Sequence, residues 1–228
     1  MNFGPPIKTC FIVSSALGAT HGVYSIDERQ QQTLKTIQSI RRYAEGASII
    51  FAESTKLEPY RMSAVASLVD VYLDLSGDVV LEQAKKSGAK SLGDARILSL
   101  TTGLLSTHPK LQNILYHTEF FYKLSARYSL SKNFRNYPAW GNFRFKRYIS
   151  WRPDGFFPYS VSTRCFGFCS SLVSGLHETA ISLEHAFRRT DIDMEHGMAL
   201  MVDKKRVIWD PVIGIYGNTA GNGSLIVE

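Results

Sequence analysis

Cys10-Phe-Ile-Val-Ser-Ser15, Ser25-Ile-Asp-Glu28 and Ala47-Ser-Ile-Ile-Phe-Ala-Glu53-Ser54 are the three pieces of sequence that decide the fold. The first is a short apolar run of strand-forming residues. The second is a capping-box pattern, a serine N-cap with glutamate three residues on, which starts a helix. Leu34, Ile37, Ile40 and Ala44 then recur on one helical stripe, and Gly46 ends the pattern. The third piece is a buried strand that closes on a carboxylate. Strand, helix and strand in this order open a parallel α/β sheet, and ligands of nucleotide type bind in the loops at the carboxyl ends of such strands.

Working outward, residues 58–68 read as a helix and Val69-Asp-Val-Tyr-Leu-Asp-Leu75 alternates as a third strand. Helical patterns follow at 78–87 and 92–106. Thr118 to Tyr128 reads as a fourth strand running into a polar turn. Residues 130–160, rich in aromatics, arginine, proline and glycine, read as loops and short strands over the sheet's edge. A strand from Val161 to Phe168, helices at 174–189 and 193–202 and a strand at Arg206-Val-Ile-Trp209 come next. The glycine- and asparagine-rich tail from Gly214 reads as mobile. With no repeat and no low-complexity linker, residues 1–228 are expected to form a single α/β domain with a mixed, mainly parallel sheet flanked by helices.

A chain of 228 residues with 44% hydrophobic content can bury a full core. No apolar run approaches the roughly 18 residues needed to cross a bilayer. Met1-Asn-Phe-Gly-Pro-Pro lacks the pattern of a signal peptide, so a cytoplasmic protein is expected. Cys10, Cys165 and Cys169 read as small core residues, and Cys165-Phe-Gly-Phe-Cys169 has the wrong spacing for a redox pair. The histidines show no convincing metal-ligand spacing. The net charge of +6 is uneven: Phe120 to Pro153 holds eight cations (Lys123, Arg127, Lys132, Arg135, Arg144, Lys146, Arg147 and Arg152) and no acid. A local basic surface implies an anionic ligand at one place.

Several clusters carry candidate chemistry. Ser14, Ser15 and the Gly18-Ala-Thr-His-Gly22 loop allow close approach of a ligand to backbone, or are a plain β–α connection. Neither a dinucleotide nor a P-loop fingerprint is present. Glu53 and Ser54 end a strand where ribose or base can be bound, or are simply solvated. Lys90-Ser-Leu-Gly93-Asp94 caps a helix or sets a cation beside a diphosphate. Strand alternation puts Lys123, Ser125 and Arg127 on one face, suited to phosphate or to a structural ion pair. In Asp191-Ile-Asp193-Met-Glu195-His196, Glu195 or His196 is placed to act as a general base if the helix faces a pocket. The aromatic, basic segment 134–159 suits single-stranded nucleic acid or a lipid-linked or sugar acceptor.

Taken together, the residues resemble a family of GT-A-like glycosyltransferases of bacterial surface-polysaccharide loci and large DNA viruses. The resemblance rests on Tyr24-Ser25-x-x-Glu28-Arg29-x-x-Gln32-Thr33-x-x-Thr36-Ile37-x-Ser39-Ile40-Arg41. It continues in Ile50-Phe-Ala-Glu53-Ser54, Lys90 to Asp94, Lys123-Leu-Ser125-Ala-Arg127-Tyr128, Thr163-Arg164 and Met194-Glu195-His196-Gly197. It implies a GT-A-like fold and transfer of a sugar from a nucleotide-diphosphate donor to a glycan acceptor. The implied donor contacts are Ser14, Ser15, Glu53, Ser54, Lys90, Gly93 and Ser125. Glu195 is the first choice of base and Asp94 the second, while Lys123 and Arg127 stabilise the departing diphosphate. The sequence departs from the family in having Ala126 for glycine and Asp94 for glutamate. It also has no D-x-D after the fourth strand, so lysine and arginine there can neutralise the diphosphate in a metal's stead. A divalent metal (Mn²⁺ or Mg²⁺), peripheral membrane contact and oligomeric state stay open, and nucleic acid is not favoured. The rivals are a non-catalytic anion-binding module using the 123–152 basic surface, and a transferase fold that has lost transfer.

Overall fold

The computed structural model describes residues 8–137, 141–149 and 159–228. Its central strand is β1 (Thr9–Ser15), buried along its length and flanked in parallel by β2 (Ser48–Glu53) and β4 (Phe120–Ser125). Between β1 and β2 runs α1 (Ile26–Tyr43). It starts at the expected capping box, where Ser25 Oγ accepts from the Glu28 N–H at 3.3 Å and the Glu28 carboxylate accepts from the Ser25 N–H at 2.7 Å. Gly46, at φ +75°, lies in the left-handed region in the turn beyond the helix.

After β2 come α2 (Pro59–Ala66), β3 (Val71–Asp74), α3 (Val79–Ser87), α4 (Lys90–Thr107) and α5 (Pro109–His117). After β4 the chain makes β5 (Tyr128–Leu130), β6 (Phe143–Phe145), β7 (Arg147–Ile149), β8 (Tyr159–Val161) and β9 (Cys165–Cys169). Then α6 (Val173–Phe187), α7 (Met194–Met201), β10 (Val207–Trp209), β11 (Ile215–Asn218) and β12 (Leu225–Val227) complete it. The main sheet has the order β10-β6-β9-β4-β1-β2-β3, with β9 antiparallel to β4 and β6 and the remaining pairs parallel. Helices α3, α5, α6 and α7 gather around α4, while α1 packs against β5. Rings stack through the sheet, Phe11 on Tyr122 at 5.2 Å and Phe145 on Phe166 at 4.9 Å. Gly167 leaves room for two of them: a Cβ there would stand 2.5 Å from the Phe120 ring. All three cysteines are buried and free.

Four sequence expectations change. Residues 130–160 do not simply lie over the sheet's edge, because β6 enters the main sheet between β10 and β9. Arg144 is consequently 2% exposed and ion-paired with Asp210, and Lys123 is also buried, so the 123–152 cations do not form one surface. The strand read from Val161 to Phe168 is two strands, β8 pairing with β7 and β9 with β4. The tail read as mobile makes β11 and β12, which extend β5 into a three-stranded sheet. The fourth is α5, which begins on Pro109 and was not read at all. Met1–Ile7, and within the aromatic, basic segment residues 138–140 and 150–158 including Arg152, lie outside the described residues. No helix among the described residues is long and apolar enough to cross a membrane.

Candidate functional site

In the order β3-β2-β1-β4 the chain adds strands on one side of β1 and then on the other. Such a switch opens a crevice at the carboxyl ends of the two strands involved. A cavity of about 590 Å³ lies there, within the range of small-molecule sites. Ser14 and Ser15 end β1 on its floor, with Ser54 beside them. The start of α4 contributes Lys90, Gly93 and Asp94, the turn after β4 contributes Ser125 and Arg127, and α7 contributes Glu195. Ala89, Lys90, Gly93 and Asp94 bring the N-terminal end of α4, the positive end of its dipole, to the same space. Five cations line the cavity (Arg29, Lys85, Lys90, Arg127 and Arg164) against two carboxylates, Asp94 and Glu195. The balance suits an anionic ligand.

Two of the residues singled out in the sequence stand behind the wall. Glu53 is 0% exposed, and its carboxylate accepts from the Leu17 N–H at 3.1 Å, the Thr55 N–H at 2.9 Å and the Thr55 hydroxyl. Burial pushes its carboxyl up, against the pull of these donors. Glu53 thus holds the loop after β1 in shape and is not part of the cavity lining. Lys123 is 8% exposed and donates to Ser125 Oγ at 2.8 Å and to the Thr163 carbonyl at 2.7 Å. Burial pulls its ammonium down, opposed first by Asp94 and then by Glu195.

Glu195 accepts from Thr163 Oγ1 at 3.0 Å. It also lines a second cavity of about 440 Å³, made with Lys146, Tyr148, Ser160, His196 and the end of the tail. Arg164 is the other wall shared by the two cavities. It donates to the hydroxyls of Tyr128 and Tyr148, each at 3.2 Å, and pairs with Glu228 at 2.8 Å. His196 sits beside its helix-capping Asp193, Nδ1 to Oδ1 2.6 Å.

Sequence reasoning did not single out Arg29, Thr163, Arg164 or the tail residues Thr219–Gly221 as site residues, though all line the larger cavity. A signal existed for Arg29. Arg29, Thr33 and Thr36 lie on one face of α1 at helical spacing, and all three are buried. Thr36 Oγ1 donates to the Ala126 carbonyl at 2.9 Å, so this polar face carries the turn after β4. The tail is held over the cavity by the Val23 N–H donating to the Ala220 carbonyl at 3.0 Å. Gly22, at φ +99°, permits this approach, since a Cβ there would stand 2.5 Å from that oxygen.

Among the described residues no three His, Cys, Asp or Glu side chains come together as a metal site.

No family model and no curated protein matches this sequence. Solved structures do share its fold. Core-mannan synthase A of Aspergillus fumigatus, in a Mn/GDP form, superposes with a TM-score of 0.55 at 11% identity over 93% of this chain and 74% of that one. The mannosyltransferase Ktr4p of S. cerevisiae gives 0.55 at 10% identity, over 96% and 74%. A glycosyltransferase involved in glycosylation of the major capsid of PBCV-1 gives 0.50 at 11%, over 89% and 81%. At these identities the likeness is one of architecture. The chain has the GT-A-like α/β fold that these glycosyltransferases share.

Proposed function

We propose that residues 1–228 act as one glycosyltransferase domain. It takes a nucleotide-diphosphate sugar in the larger cavity and moves the sugar to a hydroxyl of a glycan acceptor entering from the second cavity. The observation that carries this reading is the position of Glu195, which lines both cavities. A base that serves transfer must reach the acceptor hydroxyl while facing the donor's anomeric carbon. In this reading the acceptor oxygen attacks that carbon, its proton passes to Glu195, and the C–O bond to the diphosphate breaks with the electron pair leaving on the diphosphate. Displacement from the opposite face inverts the anomeric centre. Asp94 is the second choice for the base.

Ser14, Ser15, Ser54, Lys90, Gly93 and Ser125 surround the donor, and Glu53 positions the loop that carries part of them. Lys123 braces the turn after β4 from behind the wall through Ser125 and the Thr163 carbonyl, while Arg127 meets the leaving diphosphate. The pathway proposed is surface-polysaccharide or glycoprotein glycan synthesis, in the cytoplasm. The rival reading, an anion-binding module on a continuous 123–152 surface, is disfavoured by the burial of Lys123 and Arg144.

The test is a thermal-shift screen of nucleotide sugars, followed by turnover with the donor that stabilises the chain. A donor that binds the native fold raises its melting temperature by mass action. Glu195→Gln is expected to keep that shift and to lose about a hundredfold or more in transfer rate. Full turnover in Glu195→Gln sinks the assignment of the base; the absence of any donor shift sinks the transferase reading.

A further inference from the structure

Arg29 and Arg127 stand apart from the other buried or half-buried arginines among the described residues, which pair with carboxylates. Arg29 is 3% exposed, and its guanidinium donates to the Tyr24 carbonyl at 3.1 Å and to the His21 carbonyl. These two bonds lock it into the cavity wall, yet no carboxylate among the described residues pairs with it. Glu53, the acid whose charge acts on it, is committed to Leu17 and Thr55. Arg127 lines the same cavity from the turn after β4, with its Nε buried and without a hydrogen-bond partner. Burial, and after it the charge of Arg127, pulls the Arg29 guanidinium down. Two like charges left together in a low-dielectric wall cost stability, and an anion between them recovers it through charge-assisted, two-pronged hydrogen bonds.

We propose that Arg29 and Arg127 form a guanidinium clamp that binds the diphosphate of the donor without a divalent cation. The clamp rests on the reading of the larger cavity as a nucleotide-diphosphate site, and it names the counter-charge of that site. The chemistry of the walls agrees. Among the described residues the cavity offers only Asp94 and Glu195 as carboxylates against five cations, and the charge of both also acts on the buried ammonium of Lys123. A metal placed there would also face two guanidinium groups. The diphosphate instead receives planar, forked donors from Arg29 on α1 and from Arg127 in the turn after β4.

The experiment is calorimetric titration of the whole chain with inorganic pyrophosphate, in EDTA and again with Mn²⁺. Pyrophosphate is expected to bind in EDTA, with affinity changed less than about threefold by Mn²⁺. Arg127→Gln should weaken that binding by about tenfold or more, the loss of one charge-assisted contact. Arg29 also braces the loop after β1, so it is tested as Arg29→Lys, which keeps the charge and loses the fork; about a tenfold loss is expected. Lys110→Gln, on exposed α5, should change nothing. Binding that appears only with Mn²⁺, or that survives unchanged in Arg127→Gln, overturns the clamp. If pyrophosphate binds as expected and no donor supports transfer, the clamp stands and the transferase reading falls. Transfer that needs Mn²⁺, with no binding in EDTA, does the reverse.

Discussion

The arginines of the two ends of this molecule are treated differently. Around the β6–β10 end and the second cavity they are met by acids. Arg144 is enclosed by Asp210, the Tyr122 hydroxyl and the Arg135 carbonyl, and Arg164 pairs with Glu228. On the flank of the larger cavity, Arg96 likewise holds Asp78 at 2.7 Å. At the β1–β4 crevice, Arg29 and Arg127 have no such partner among the described residues. Guanidinium charge that serves the fold is neutralised within the chain, and guanidinium charge left open at a cavity is available to a ligand. That distinction separates architectural cations from binding ones without reference to any relative.

The comparison can be broken first at its paired end. Asp210→Ala leaves the Arg144 guanidinium buried beside nothing that neutralises it, and should cost about 3–5 kcal/mol in urea unfolding. Next in size is Gly197→Ala at the junction of the cavities. The new Cβ would stand 2.7 Å from Leu183 and 2.8 Å from Phe187, so the packing of α7 on α6 must give, at about 1–3 kcal/mol, and Glu195 is expected to move with it. Transfer should fall beyond what lost stability explains, measured under conditions where the variant is still folded.

Asp78→Asn sharpens the contrast through pH. The Arg96 guanidinium holds the Asp78 carboxyl below its ordinary 3.8, so the pair stabilises the native state above that pH and the contribution fades as pH falls through the native value. The variant should lie about 1–2 kcal/mol below the wild type at neutral pH, with the gap closing toward pH 2. The smallest effect belongs to the open end. Arg127→Gln should change unfolding stability by no more than about 0.5 kcal/mol, since it removes no internal pair and relieves repulsion on Arg29. A loss as large as that of Asp210→Ala would erase the distinction between the two ends.

The first half of the fold was legible because its strands pair with near neighbours in the chain. β1, β2 and β3 lie side by side, each joined by a helix with a cap or an apolar stripe. The second half was not, because its strands are three to five residues long and pair across great distances in sequence, as β11 does with β5. Such strands are too short to show a period. The break at Ser162-Thr163-Arg164 was hidden inside an apolar run for the same reason, although it is where the chain leaves one sheet for another and turns two side chains toward the site. Most of the residues singled out line one cavity because strand ends and helix starts bear recognisable residue types. Arg29 was not legible because the apolar periodicity of α1 conceals a polar face of the same period. Sequence does not reveal depth: Glu53 and Lys123 lie beneath the surface they support.

The turn at Thr219–Gly221 leans over a cavity whose floor is β1, more than two hundred residues earlier. A ribosome makes the chain in one direction, so the parallel strands β1 to β4 emerge well before β9 covers the free edge of β4. The strands that floor the crevice are therefore made before their full sheet and their roof. The roof comes last, once synthesis has passed residue 221, and the exposed edge of β4 is the interval in which such a chain is most open to wrong strand pairing.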